Sequence, residues 1–292
     1  MKKKHNLYGY ILIMPAVLLL ASLLIYPFAR TIASSFYNKT TIQFEPTRFV
    51  GFQNFIKVWS DPFFVNALIW TVQFTVITVV ISIILAMVFA LIMKRKFKGQ
   101  SLMRMIILMP WAIPAIIAGL VWSDIFGYNG FINSALVAIH FIKDKIIFFN
   151  NPDTAKLAII IADVWKSTPY SALLLLAGLL GIPKECYEAA EVDGASPFTQ
   201  FINITLPLLL PTMAVVVMFR LISAFRSYGL VIAMTGGGPG GTTETIAMYA
   251  VKAFFTFGKT SYGATISIIM MIISLLFSLL FIKTLRGKGE IS

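Results

Sequence analysis

Charged side chains are costly inside apolar segments, so the few that occur there mark where chemistry or recognition would be carried. Between Leu157 and Leu180, Asp163, Lys166 and Tyr170 stand at i, i+3 and i+7 and share one face of a helix, bordered by Ser167 and Ser171. With Trp165 and Thr168, the run offers flat aromatic faces, a carboxylate and hydroxyls. Those groups suit a sugar, whose ring is apolar on its faces and hydrogen-bonding along its edge. Asp163 and Lys166 are spaced to neutralise each other, and Pro169 should kink the helix beside them. In a later apolar run, Arg220, Ser223 and Ser227 share a second polar face. Two readings of these stripes stay open: they line a path for a polar solute, or they only hold spans together. Asp124 and Arg226 lie near span ends, where long or short polar side chains reach water cheaply.

Catalysis has no seat in this sequence. There is no Ser/His/Asp grouping, no histidine cluster and no pair of intramembrane carboxylates. His140 has no partner at ligand spacing, and the single Cys186 excludes a disulfide framework, so no metal site is expected. The glycines at 236–241 invite comparison with a phosphate-binding loop. Gly258-Lys259-Thr260 would end such a loop, but position 253 is Ala where its first glycine belongs. No nucleotide site is encoded.

The elements that must position these residues are membrane spans. At 58% hydrophobic and a mean hydropathy of +0.85, the chain does not have the composition of a soluble protein. Uncharged runs near the ~20 residues needed to cross a bilayer predict six helices, at roughly Tyr10–Ala29, Ala67–Met93, Met105–Phe126, Leu157–Leu180, Pro207–Tyr228 and Tyr262–Ile282. Lys2, Lys3 and Lys4 before the first run resemble the start of a signal peptide, but no small-residue cleavage site follows, so a retained span is expected. Pro110 and Pro114 should bend the third span.

Basic residues concentrate in the short N-terminus, in Lys94–Arg104 and after Ile282, which places those segments and both termini in the cytosol. Topology therefore accounts for the net charge of +12, and no nucleic-acid partner is expected. The segment Thr31–Asn66 then lies outside, rich in aromatic residues and polar breaks.

The same count puts Glu185–Pro207 in the cytosol. Glu185, Glu188 and Glu191 recur every third residue on one helical face; Gly194 ends that helix, and Ser196-Pro197 supplies an N-cap and N1 for the next. A helix of about ten residues is marginal alone in water and needs a surface to dock against. Composition by itself favours a solvated loop, since charge clusters usually face water; the spacing of the motif changes that reading.

The order Glu188-Ala189-Ala190, Asp193-Gly194, Ile204, Leu206-Pro207 resembles the EAA loop of binding-protein-dependent ABC import permeases. FVGFQNFIKVWSDPFFVNAL and TGGGPGGTTETIAMYAVKAFFTFG are similar to external segments of sugar permeases of the maltose and glycerol-phosphate type. That resemblance implies an all-α polytopic protein with the type I importer permease fold. It divides the chain into a cytosolic N-terminus, first span and external segment (1–66), a permease core (67–284) with a coupling loop at 183–207, and a cytosolic tail (285–292). It further implies a multi-pass protein of a bacterial or archaeal inner membrane that imports sugars or related polyols. The expected partners are a second, different permease chain, two ATP-binding subunits that use ATP and Mg, and an extracytoplasmic solute-binding protein; no cofactor is expected on this chain. By the same resemblance 236–241 is a flexible turn, and Thr242–Phe257 packs near the entrance where the solute-binding protein docks. The alternative is an ion-coupled secondary transporter. Against it stand the lack of an internal repeat and a lysine beside the only mid-span carboxylate, Asp163.

Overall fold

The computed structural model describes residues 2–41 and 46–289; Met1, residues 42–45 of the external segment and residues 290–292 of the tail lie outside it. Among the described residues the protein is helical, with one isolated antiparallel bridge, Tyr37 to Phe49. In chain order the helices are α1 (2–35), α2 (Gln53–Trp59), α3 (Pro62–Lys94), α4 (Gln100–Ala112), α5 (Ala115–Ile125), α6 (Phe131–Ala138) and α7 (Pro152–Leu180). After them come α8 (Lys184–Val192), α9 (Pro197–Phe225), α10 (Gly229–Thr235), α11 (Ile246–Thr256) and α12 (Thr260–Gly289).

Five of these, α1, α3, α7, α9 and α12, are long and apolar enough to cross a membrane, and α4 with α5 makes a sixth as a broken span. Helices are what such segments must form, because lipid offers no partner to a free backbone N–H or C=O. The break between α4 and α5 is sharper than a bend, at 98°. Ile113 is extended (ψ 129°), as a residue before proline tends to be, and the helix restarts with Pro114 as its cap. The external loop expected from Gly229 to Ser261 holds two helices, α10 and α11.

Proline elsewhere is absorbed without a break. Tyr26 donates to Ala21 and Leu206 donates to Phe201, so α1 and α9 each widen by one residue just before Pro27 and Pro207. That wide turn removes the carbonyl clash a proline ring would otherwise make. Pro169 sits inside α7 and does not interrupt it.

Two compact units emerge. One joins the chain up to Phe64 with Tyr249–Met271; the other is Val65–Met248 with the chain after Met271. The external segment after α1 is thus not a free-standing piece. The Thr41 N–H donates to the Gly258 carbonyl at 2.8 Å, Lys39 N–H donates to Ser261 Oγ at 2.9 Å, and Asn54 Nδ2 donates to the Ser35 and Tyr37 carbonyls at 2.8 and 2.7 Å. Asp61 is the polar centre of this unit. Its carboxylate accepts from the Tyr249 and Tyr262 hydroxyls, the latter at 2.6 Å, and from the Phe63 N–H at 3.0 Å.

In the second unit, two apolar clusters follow one another along the spans. One holds Trp70, Phe74, Ile159, Ala162 and Ala224; the other holds Met87, Met93, Leu175, Leu179, Leu209 and Val216. Helices α7 and α9 close tightly at Gly178, where a Cβ would stand 2.7 Å from Leu209 and Thr212 side-chain atoms. The segment 236–245 is folded rather than loose. Trp70 Nε1 donates to the Thr243 carbonyl at 3.0 Å, and Ile246 N–H donates to Thr71 Oγ1 at 2.9 Å.

Partial burial alone would raise the pKa of Asp61, but the hydrogen bonds from Tyr249, Tyr262 and the Phe63 and Phe64 amides outweigh it and hold the carboxyl below its ordinary 3.8. A depressed folded pKa contributes stability above the unfolded value and loses it as pH falls through the folded one. Asp61→Asn is therefore expected to melt lower than wild type at pH 7, with the gap closing only below about pH 4. Thermal melts across pH check this; a gap that is constant with pH would overturn it.

Candidate functional site

Between the two apolar clusters lies a cavity of about 490 Å³. Its wall is built from the end of α4, the start of α5, α7, α9, the α9–α10 connection and the start of α10, and includes Trp111, Asp163, Lys166, Tyr170, Phe219, Arg220 and Tyr228. Four serines line it as well: Ser167, Ser171, Ser223 and Ser227. Trp111 of α4 stacks on Tyr170 of α7, ring centroids 5.3 Å apart and planes 16° from parallel.

The polar centre of the wall is an ion pair between helices. Asp163 Oδ2 of α7 accepts from Arg220 Nη2 of α9, and both side chains are almost wholly buried. Arg220 Nε also donates to Ser82 Oγ on α3 at 3.4 Å, so one guanidinium joins three spans. Helix α9 brings Arg220 and Ser223 onto the cavity side by their i, i+3 spacing, as α7 does for Asp163, Lys166 and Tyr170. The i, i+3 pairing of Asp163 with Lys166 suggested by spacing gives way to Arg220, whose planar fork reaches across the helix interface. Lys166 keeps its place on the cavity wall.

Two of the residues picked from the sequence lie elsewhere. Thr168 is buried and donates back to the Val164 carbonyl at 2.6 Å, which occupies its hydroxyl within α7. Trp165 turns its ring edge-on to Trp122, centroids 5.5 Å apart. Neither lines the cavity.

A second feature hangs from the same two helices. Helix α8 follows the end of α7 by three residues, and Gly194 (φ +77°) turns the chain toward α9. Ser196 caps α9, accepting from the Thr199 N–H at 3.2 Å, with Pro197 at its first position. Glu185, Glu188, Ala189, Glu191 and Asp193 are exposed, as are Val192 at 88% and Phe198 at 74%. Ile204 is half-buried in the wide turn that leads to Leu206 and Pro207. The base of the loop is fastened by Tyr187, whose hydroxyl meets Thr205 Oγ1 at 2.9 Å while Lys94 Nζ sits over its ring at 4.4 Å.

Residues 79–286 match the family described as binding-protein-dependent transport system inner membrane component. The chain belongs to that family. It is 37% identical to the sulfoquinovosyl glycerol transport system permease protein of Agrobacterium fabrum, over 97% of this chain and 92% of that one. It is also 37% identical to the trehalose/maltose transport system permease protein of Thermococcus litoralis, over 99% of this chain and 97% of that one. In three dimensions it is similar to a solved bacterial ABC transporter involved in the import of the acidic polysaccharide alginate. The TM-score there is 0.81 at 22% identity, covering 97% of this chain and 96% of that one. The architecture is that of a type I ABC importer permease, a multi-pass membrane protein with six apolar helical segments.

Sequence reasoning did not find four residues of the permease's cavity and loop. Trp111 stands just before the α4–α5 break, and the signal was present in the two prolines that flank it, which mark a place where a span opens. Phe219 and Tyr228 carry no pattern that separates them from other span aromatics. Tyr187 is one step around α8 from Glu188, and only its partners in space show its role.

Removing one member of the buried pair leaves the other charged and unmatched, which costs about 3–5 kcal/mol, whereas replacing both with apolar residues is often neutral. Asp163→Asn is thus expected to lower the melting temperature of the detergent-solubilised permease strongly, and a double Asp163→Leu/Arg220→Met variant to recover most of the loss. Melting of the two variants side by side decides it; a double variant no better than the single would show that the pair is not the stabilising unit.

Proposed function

We propose that this permease is the membrane-spanning subunit of an ATP-driven importer of sugars and that it couples hydrolysis on a partner to movement of solute past the cavity. The relatives named for sulfoquinovosyl glycerol and for trehalose/maltose support the substrate class. The observation that carries the coupling role is the loop at 183–207. It has an exposed face of glutamates flanked by Val192 and Phe198 that no described part of the chain covers, above a base fixed by Tyr187.

In this reading Glu188, Ala189 and Ala190 meet the ATPase, Asp193 and Gly194 form the turn, and Ile204, Leu206 and Pro207 pass the displacement into α9. Lining residues Asp163, Lys166, Tyr170, Ser171, Arg220 and Ser223 face the solute. ATP and Mg are used on two separate ATP-binding subunits, and this chain performs no reaction and holds no cofactor. A second, different permease chain completes the pathway, and an extracytoplasmic solute-binding protein delivers cargo. Both termini and the loop lie in the cytosol, as the distribution of basic residues supports.

Nothing stands within 4 Å of a Cβ at Gly194, so a substitution there acts through its positive φ alone, at about 1–2 kcal/mol. In the complex co-expressed with its ATPase subunits and reconstituted in liposomes, Gly194→Val and Glu188→Lys are expected to leave the permease inserted while cutting cargo-stimulated ATP hydrolysis more than about tenfold. Gly194→Asn, a residue that tolerates the left-handed region, should retain most of it. Co-purification and ATPase assays check this; a chain that purifies without ATPase subunits and moves solute down an ion gradient would overturn it.

A further inference from the structure

The charges around the cavity do not balance. Three cations, Lys166, Arg220 and Arg226, line it against one carboxylate, Asp163. Asp163 is ion-paired with Arg220, and its charge also acts on Lys166, so one carboxylate serves against three cations. Lys166 and Arg226 form no ion pair with any described residue, and both are reachable, the first half-buried and the second exposed. A surplus of positive charge next to a low-dielectric span interior attracts an anion that brings its own hydrogen-bond acceptors. The rest of the wall is not a generic anion site. The stacked Trp111 and Tyr170 present flat apolar surface, and Ser167, Ser171, Ser223 and Ser227 present hydroxyls suited to a polyol.

Resting on the sugar-importer reading, we infer that the cavity takes an anionic glycoside, its ring against Trp111 and Tyr170 and its phosphate, sulfonate or carboxylate group held by Lys166 and Arg226. A volume of about 490 Å³ falls within the range of small-molecule sites and accommodates a sugar of one or two rings with an acidic substituent. Lys166 and Arg226 are then the groups that select for charge in the pathway, while Arg220 is paired with Asp163.

Direct binding to the assembled transporter in detergent, without the solute-binding protein, tests the inference with maltose, maltose 6′-phosphate and inorganic phosphate as probes. Maltose 6′-phosphate is expected to bind at least about tenfold more tightly than maltose, and inorganic phosphate to compete weakly. Lys166→Met and Arg226→Gln should each reduce the preference for the phosphosugar over maltose several-fold and together abolish it. Lys166→Arg and Arg226→Lys should keep it. A preference that survives the double neutralisation, or equal binding of both sugars, overturns the proposal. Inorganic phosphate binding as tightly as the phosphosugar would also overturn it, by showing an anion site with no sugar recognition. Melting temperatures of the variants guard against misfolding, and a variant that melts early is replaced by Lys166→Gln or Arg226→Met. The coupling role is read separately, as ATP hydrolysis by the same complex: stimulation by maltose alone would keep the importer and reject the anionic cargo. Charge-selective binding without any ATPase activity would keep the cavity and reject the coupling.

Discussion

Arg220 is held by Asp163 from one neighbouring span and by Ser82 from another, in the gap between the two apolar clusters of the larger unit. Apolar side chains alone would set the register of these spans poorly, because in lipid there is little hydrophobic gain from packing one apolar helix on another. A buried ion pair is different. Sliding α9 by one residue against α7 would turn Arg220 by about 100° around its helix and strand two charges in a medium that cannot solvate them. The pair therefore fixes which faces of α7 and α9 look at each other, and with them the cavity wall. Gly178 adds the close contact farther along the same interface, where Leu209 and Thr212 fill the space a side chain would need.

The transmembrane pattern was legible from the sequence because span length and apolarity are physical requirements of the bilayer. The Ser196-Pro197 helix start and the Gly194 turn were legible for a similar reason: each residue has few conformational uses, and the order of three such residues leaves one arrangement. What sequence could not supply was the choice among partners. Asp163 has a lysine three residues away and an arginine 57 away, and helical spacing favours the near one; only the crossing of α7 and α9 brings the far one into reach. Proline had the same ambiguity. The element is broken at Pro114, widened before Pro27 and Pro207, and continuous through Pro169, and the difference lies in what surrounds each ring rather than in the ring. Trp165 and Thr168 show the limit of composition, since a suitable side chain beside the stripe is spent on a neighbour elsewhere.

The cavity and the loop are joined by continuous helix on both sides. From Asp163 to the end of α7 is 17 residues, about 26 Å of helix, and from Leu206 to Arg220 is 14 residues, about 21 Å. Helices of that length transmit displacement better than loops do, because bending them costs backbone hydrogen bonds that lipid does not replace. The proposed coupling follows from this arrangement: a push at α8 reaches both helical walls of the cavity together, and the Asp163–Arg220 pair obliges the two walls to move as one body. The wall contributed by Trp111 is not bound in that way. It stands at the end of α4, beside a 98° break; Met103 and Ile107 pack α4 against the cluster that holds Leu175 and Leu179, whereas the Trp111–Tyr170 stack at the cavity can part and re-form without stranding a charge. If that stack parts while α7 and α9 shift, the parting exposes the aromatic surface on which a sugar ring would rest.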